Sequence, residues 1–82
     1  DGSLITDGSV TIRDLNRSLG WNLPDENANT IAGLVLHESK IIPEPGQEFR
    51  FFEIRFRVLQ KKGNFISQLR LWNEVGINTE KN

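Results

Sequence analysis

Apolar residues in the first half of the chain recur at helical spacing, and the first group is framed by a start and a stop signal. Ile12, Leu15 and Leu19 occupy positions i, i+3 and i+7, which places them on one face of a helix. Thr11 precedes this stripe as an N-cap, and Gly20 follows it as a residue that readily ends a helix. The pattern predicts a helix that begins at Ile12 and ends at Leu19.

A second apolar segment predicts a second helix with an ambiguous start, because residues 25–29 offer several competing N-caps. Its buried side is formed by Ile31, Leu34 and Val35. Thr30 and Gly33 lie three residues apart and form a stripe of small residues that we expect to admit another backbone closely. The helix must end before Pro43, because the residue before a proline is pushed towards extended conformations.

From Glu48 onward the apolar period changes from helical to two, which is the period of a β-strand. The residues that alternate onto one side are Phe49, Phe51, Ile54, Phe56, Val58, Leu69 and Leu71. A break in the alternation at Phe52 and Glu53 predicts a hairpin or a bulge. The segment 61–64 predicts a second turn, so three strands follow one another as a meander.

A short strand, Leu4–Thr6, precedes the first helix and is separated from it by a turn at Asp7 and Gly8, where glycine tolerates positive φ. Together these elements predict an α+β fold in a small single domain, with two helices packed on one face of a mainly antiparallel sheet. We expect residues 1–72 to form this domain. The polar segment 73–82 is predicted to be a linker or a frayed C-terminal tail.

Composition limits the classes of protein that fit this pattern. An 82-residue chain supports one small core, and 37% apolar with 26% charged residues is typical of a globular domain. Because the chain has no cysteine, disulfides and thiolate metal sites are excluded. No apolar run approaches the roughly 20 residues that span a bilayer, and no signal peptide is apparent, so we expect a soluble fragment. A start without methionine predicts an excised domain or a processed product.

The charges nearly cancel over the whole chain but are unevenly distributed. Residues 1–41 carry six acids and three bases, whereas residues 42–82 carry five acids and seven bases. Nucleic-acid-binding domains usually carry a much larger excess of Lys and Arg. We therefore expect no nucleic-acid partner.

The sequence offers little catalytic or metal-binding chemistry. The single histidine, His37, is followed by Glu38, which points about 100° away around a helix, so the pair is not spaced as a metal chelate. The presence of His37 is explained by its position near the end of a helix, where a histidine interacts with the last carbonyl groups. The acids Asp25 and Glu26 favour the first turn of a helix, with an adventitious divalent ion as the alternative. We predict no catalytic residue and no metal site, and the scattered glycines form no phosphate-binding loop.

One arrangement suggests binding: the outward face of the predicted meander. If the apolar positions face the helices, four arginines and a tryptophan share the opposite side of the sheet, namely Arg50, Arg55, Arg57, Arg70 and Trp72. Guanidinium groups beside an indole favour an anionic ligand or an acidic partner surface. The alternative is a solvated face whose arginines pair across strands with Glu48 and Glu53 and keep exposed strands from aggregating.

Four separated motifs follow one another along the chain, from about Asp1 to Leu71. They are DGSxxxDGxVxIxDLNxxLG, TIAGLVL, IPEPG and FxIRFxVLxxxGNxIxxLRL. In this order they resemble the transporter-associated domain of CorC and hemolysin-C-type proteins. The resemblance implies a fold similar to the α+β FAD-binding domain of the vanillyl-alcohol-oxidase type.

The resemblance also implies a role. The family is associated with magnesium and cobalt efflux, and its domain typically follows a pair of CBS domains, with a membrane domain in front of them in many members. We expect a non-catalytic regulatory and interaction module on the cytoplasmic face of the membrane, without a cofactor and without inserting into the bilayer. Its partners would be the CBS and membrane domains of the parent protein, or a second copy of itself.

A second hypothesis is a nucleotide- or flavin-binding module that uses the arginine-rich outer face to hold FAD or an adenine nucleotide. It is suggested by the family's fold similarity and by the four guanidinium groups. The missing glycine-rich loop and the small size of the chain count against a site that encloses a flavin.

Overall fold

The computed structural model describes residues 2–73 and contains two helices and four strands in that range. In chain order the elements are β1 (Ser3–Asp7), α1 (Ile12–Leu19), α2 (Ile31–Ser39), β2 (Glu48–Phe51), β3 (Ile54–Lys62) and β4 (Phe65–Asn73). The bounds of α1 agree with the prediction at both ends. Of the segment predicted to be a tail, Asn73 is the last residue of β4, and residues 74–82 lie outside the described part of the chain.

The four strands form one antiparallel sheet in the order β1-β4-β3-β2. β2 and β3 form one hairpin, β3 and β4 form a second, and β1 pairs along the other side of β4, with Leu4 opposite Leu71. The register between β3 and β4 shifts on either side of Gln60, and this irregularity lets Ile66 as well as Leu69 turn towards the core. The small α+β domain with an antiparallel sheet is therefore confirmed, while the likeness to an FAD-binding fold stays a prediction.

Both helices cover the same side of this sheet. The buried apolar side chains that join helices and sheet are Ile12, Leu15, Leu23, Ile31, Ala32, Leu34, Val35, Ile54, Phe56, Val58, Ile66, Leu69 and Leu71. Pro43 is also fully buried, whereas Ile41 and Ile42 before it are each 50% exposed. Within residues 2–73 neither helix has the length and hydropathy to cross a bilayer.

Local hydrogen bonds fix the ends of α1. Thr11 Oγ1 accepts a hydrogen bond from the Asp14 amide at 3.1 Å, and Gly20 ends the helix with a φ of 69°, both as predicted. The side chain of Asn16 bonds to both the amide and the carbonyl of Leu23, each at 2.9 Å. The connector after the helix is thereby tied back onto α1.

The start of α2 differs from the prediction. Thr30 is the N-cap, because its Oγ1 accepts a hydrogen bond from the Gly33 amide at 3.1 Å, and the candidates at 25–29 all precede it. A Cβ atom added to Gly33 would lie 3.2 Å from Thr30 Oγ1 and 3.3 Å from the Ala28 Cβ. Among residues 2–73 its close neighbours are side-chain atoms, so the prediction that this stripe admits another backbone is wrong for this part of the chain.

The close approach of two backbones occurs at Gly8 instead. A Cβ atom there would lie 1.9 Å from the carbonyl oxygen of Ile66 and 2.9 Å from the Ala32 Cβ. The Gly8 amide donates to the Ser67 carbonyl at 3.0 Å, and the Gly8 carbonyl accepts from the Ala32 amide at 3.0 Å. The φ of Gly8 is not positive, contrary to our expectation, so glycine is required here for its missing side chain.

The hairpin between β2 and β3 turns on Phe52 and Glu53, where the alternation breaks. Phe51 pairs with Ile54, so the loop has two residues, and their φ angles are 56° and 64°. Two consecutive positive φ values define a type I′ turn, which normally carries Asn-Gly or similar residues. Each non-glycine residue in this conformation costs about 1 kcal/mol of stability. Burial of the Phe52 ring does not offset this cost, because the residue is 47% exposed.

Candidate functional site

The side of the sheet opposite the helices presents two adjacent rows of cross-strand neighbours. Read across β2, β3, β4 and β1, the first row is Glu48, Arg57, Arg70 and Ile5. The second row is Arg50, Arg55, Trp72 and Ser3. All five residues predicted to form a binding site therefore lie together, and we call them, with Glu48, the arginine face.

Trp72 is at the centre of the arginine face. The guanidinium carbon of Arg55 lies 4.2 Å from the centroid of the Trp72 ring, and those of Arg70 and Arg57 lie at 5.8 Å and 6.0 Å. These distances are within the range of a cation–π interaction. A guanidinium stacked on a ring keeps its in-plane N–H groups available for hydrogen bonds, so the indole orders positive charge without neutralising it.

Glu48 provides negative charge at the β2 side of the face. Its Oε2 lies 2.6 Å from a terminal nitrogen of Arg57 and accepts a hydrogen bond from Arg57 Nε at 2.8 Å. Its Oε1 lies 3.7 Å from a terminal nitrogen of Arg55. The predicted pairing with Glu48 is thus present, whereas Glu53 occupies the hairpin turn. The two arginine side chains are 36% and 46% exposed, so each pair contributes about 0.2–1 kcal/mol.

Arg70 lies between Arg57 and Ile5 in the middle of the sheet. Its Nε atom is buried and has no hydrogen-bond partner among residues 2–73. A buried donor without a partner loses hydration that nothing in this part of the chain replaces, which costs about 1–3 kcal/mol. The Arg70 side chain as a whole is only half-buried, so part of its charge faces solvent beside the Trp72 ring.

The other residues that the sequence singled out lie apart from the arginine face. His37 is in the last turn of α2, as predicted, and its Nδ1 is 3.4 Å from Oε2 of the adjacent Glu38. Asp25 precedes α2 and lies 3.7 Å from Arg13 Nε. No three His, Asp or Glu side chains converge as metal ligands within residues 2–73.

Sequence reasoning missed an apolar groove at the end of α2. Its lining residues are Leu36, Lys40, Ile41, Ile42 and Asn64. Lys40 ends the helix with a φ of 61°, and the chain then leaves Ile41 and Ile42 exposed before Pro43 enters the core. The available signal was a pair of isoleucines between a helix end and a proline.

The model of the transporter associated domain family, CorC_HlyC, matches residues 1–74. This chain belongs to that family. The resemblance inferred from the four motifs is therefore confirmed.

The transporter associated domain is a small part of the longer proteins that contain it. Our chain is 33% identical over 72 residues to the inner membrane protein YfjD of Escherichia coli strain K12, an alignment that covers 88% of this chain and 17% of that protein. The chain thus spans less than a fifth of the length of this relative.

Solved structures of transporter associated domains share this fold. A conserved protein of unknown function from Haemophilus influenzae Rd KW20 is 36% identical with a TM-score of 0.85, covering 89% of this chain and 90% of that one. The domain from a Xylella fastidiosa Temecula1 hemolysin, solved in complex with Mg²⁺ and Mn²⁺, is 30% identical with a TM-score of 0.77 and covers 89% of both chains.

Proposed function

We propose that this domain is a non-catalytic regulatory and interaction module of a membrane ion-efflux protein. Its folded part, predicted from the sequence to be residues 1–72, extends to Asn73 at the end of β4, the rest of the chain is a linker or tail, and the domain lies on the cytoplasmic face of the membrane. It modulates magnesium or cobalt efflux through contacts with CBS and membrane domains of the parent, or with a second copy of itself. It requires no cofactor for this role.

One observation carries the proposal. Residues 1–74 match a family described as transporter associated, and 72 residues of the chain align with 17% of an inner membrane protein. The surface of the described residues is consistent with docking, because it combines an arginine-tryptophan cluster with exposed isoleucines at positions 41 and 42. Tryptophan and arginine are enriched where protein interfaces derive most of their binding energy.

The alternative of a nucleotide or flavin site uses the same arginine face. Its motivation is the set of guanidinium groups around Trp72, which suits phosphate recognition and base stacking. The face is an open sheet surface, whereas sites for small ligands bury most of the ligand. The open face therefore favours a protein partner over a nucleotide or a flavin.

Removal of the domain from a full-length parent tests the proposed function. We would compare intact parent, parent lacking residues 1–74, and parent in which an unrelated folded domain of similar size replaces them. Cells loaded with Mg²⁺ or Co²⁺ would be followed by metal analysis at matched levels of parent protein in the membrane. We expect a changed efflux rate, or a changed dependence of that rate on internal ion concentration, in both altered parents. Unchanged efflux and unchanged dependence would contradict the proposal.

A further inference from the structure

The arginine face brings like charges together in a way that does not serve stability. Arg57 lies directly opposite Arg70, and Arg50 lies directly opposite Arg55. Like charges at directly opposed positions of an antiparallel sheet destabilise it. Glu48 is within ion-pair distance of Arg55 and Arg57 at the β2 side of the face, whereas Arg70 faces Arg57 from the next strand.

The same side chains are ordered before any partner arrives. Arg55 stacks on Trp72 at 4.2 Å, and Arg57 is held by Glu48 at 2.6 Å. Arg70 is half-buried and its guanidinium carbon lies 5.8 Å from the centroid of the Trp72 ring, so an added carboxylate would meet a cation that is already positioned. Ordering long side chains in advance removes part of the entropy loss of binding.

The shape of the face determines the kind of ligand. The rows run across four strands of an open sheet, with Ile5, which is 50% exposed, beside Arg70 at the β1 edge. A small anion on such a surface would stay mostly in water, where a single ion pair is weak. A protein segment can cover the arginines, Trp72 and Ile5 at the same time and exclude water from them.

We propose that the arginine face docks an acidic protein segment whose carboxylates are bound by Arg57 and Arg70 beside Trp72. The proposal rests on the proposed function, since it names the surface through which the interaction module acts and the chemistry of its partner. Arg57 and Arg70 lie side by side and so receive carboxylates close together in one extended segment. Ile5 and the Trp72 ring supply the apolar contact that anchors the segment between its charges.

A peptide titration of the 82-residue chain tests the proposal. The probes are a fluorescein-labelled hexaglutamate and a matched hexaglutamine, followed by fluorescence anisotropy and by amide and indole NMR shifts. We expect hexaglutamate to bind, to shift Trp72 and its neighbours, and to bind more weakly at high salt, because surface ion pairs are screened. Hexaglutamine should not bind. Equal binding of both peptides, or shifts located away from Trp72, would overturn the proposal.

Matched variants locate the binding charges. We expect R57Q and R70Q each to weaken hexaglutamate binding about fivefold, which corresponds to loss of one charge-assisted contact. R57K keeps the charge but loses the two-nitrogen contact with Glu48, and should weaken binding less than R57Q does. R13Q removes the same charge from α1, where Arg13 lies 3.7 Å from Asp25, and should leave binding within about twofold of the original. An equal loss in R13Q and R57Q would show non-specific attraction and overturn the proposal.

Small anions distinguish the acidic segment from the alternative ligand. Inorganic phosphate, ATP and FAD would be titrated in the same NMR experiment. If ATP or FAD shifts the same residues and displaces hexaglutamate at lower concentration, the face is a nucleotide site and the docking proposal fails. If these anions bind more weakly than the peptide, the docking proposal stands.

The full-length parent provides the second readout. A photo-crosslinking amino acid in place of Ile5 would be activated in membranes, and the attached peptide would be mapped by mass spectrometry. We expect attachment to an Asp- or Glu-rich segment that is lost when R57Q and R70Q are combined. Attachment to a neutral or basic segment, or to lipid, would overturn the docking proposal. An effect of domain removal on efflux would still uphold the proposed function in that case, so the two failures are distinguishable.

Discussion

Replacing Gly8 by alanine adds one methyl group at the point where the chain after β1 contacts both β4 and α2. The new Cβ would lie 1.9 Å from the Ile66 carbonyl oxygen and 2.9 Å from the Ala32 Cβ. The first of these atoms belongs to the backbone of a central strand, so no side-chain rotation relieves the overlap. We expect β1 and its turn to be pushed away from β4.

The size of the effect follows from the contacts that would be lost. Overpacking of this kind costs about 1–3 kcal/mol. The hydrogen bonds from Gly8 to Ser67 and from Ala32 to Gly8, both 3.0 Å, would lengthen, and each contributes about 1 kcal/mol. We therefore expect a loss of about 3–5 kcal/mol, against a total stability of about 4–12 kcal/mol for a domain of this length.

The measurement is urea denaturation of the Gly8→Ala variant, followed by the fluorescence of Trp21 and Trp72 and repeated by circular dichroism. Gly20→Ala is the matched control, because Gly20 has a φ of 69° but no atom of residues 2–73 within 4 Å of an added Cβ. That variant tests backbone conformation without steric overlap and should lose about 1–2 kcal/mol. If Gly8→Ala loses no more stability than Gly20→Ala, the steric account of Gly8 is refuted.

Three further changes test other features of the fold. Replacing Phe52-Glu53 by Asn-Gly should raise the free energy of unfolding by about 1 kcal/mol, because asparagine and glycine suit positive φ at both turn positions. An unchanged or lower urea midpoint would contradict this expectation. Thr30→Ala should lower the free energy of unfolding by about 1 kcal/mol through loss of the N-cap of α2, whereas Thr30→Ser should keep most of the stability. Equal losses in the two variants would argue against a capping role. A double-mutant cycle of Glu48→Gln and Arg57→Gln should give a coupling energy of about 0.2–1 kcal/mol that falls at high salt. A coupling energy of zero at low salt would show that the 2.6 Å ion pair does not contribute to stability.

The composition of the arginine face could be read from the sequence because strand side chains alternate. Arg50, Arg55, Arg57, Arg70 and Trp72 fall on the polar parity of the meander, and the structure places them together as expected. What alternation leaves open is the register between strands. The register alone decides which arginines lie opposite each other. It also brings three guanidinium groups around one indole.

Gly8 and Gly33 show where sequence reasoning misassigned a glycine. Both positions allow a close neighbour, but the sequence does not say which surface approaches. At Gly33 the neighbours are side-chain atoms of Thr30 and Ala28, and at Gly8 the neighbour is the backbone of β4. The approach to Gly8 depends on the pairing of β1 with β4, two strands at opposite ends of the described chain.

The sequence by itself determined the features that depend on near neighbours. The caps of α1, the turn at Phe52 and Glu53 and the two faces of the meander all follow from interactions within a few residues. Tertiary structure decided the addition of β1 to the sheet beside β4, the backbone contact at Gly8 and the grouping of charges around Trp72. These arrangements depend on which distant surfaces bury apolar area together, and local propensity carries no information about that choice.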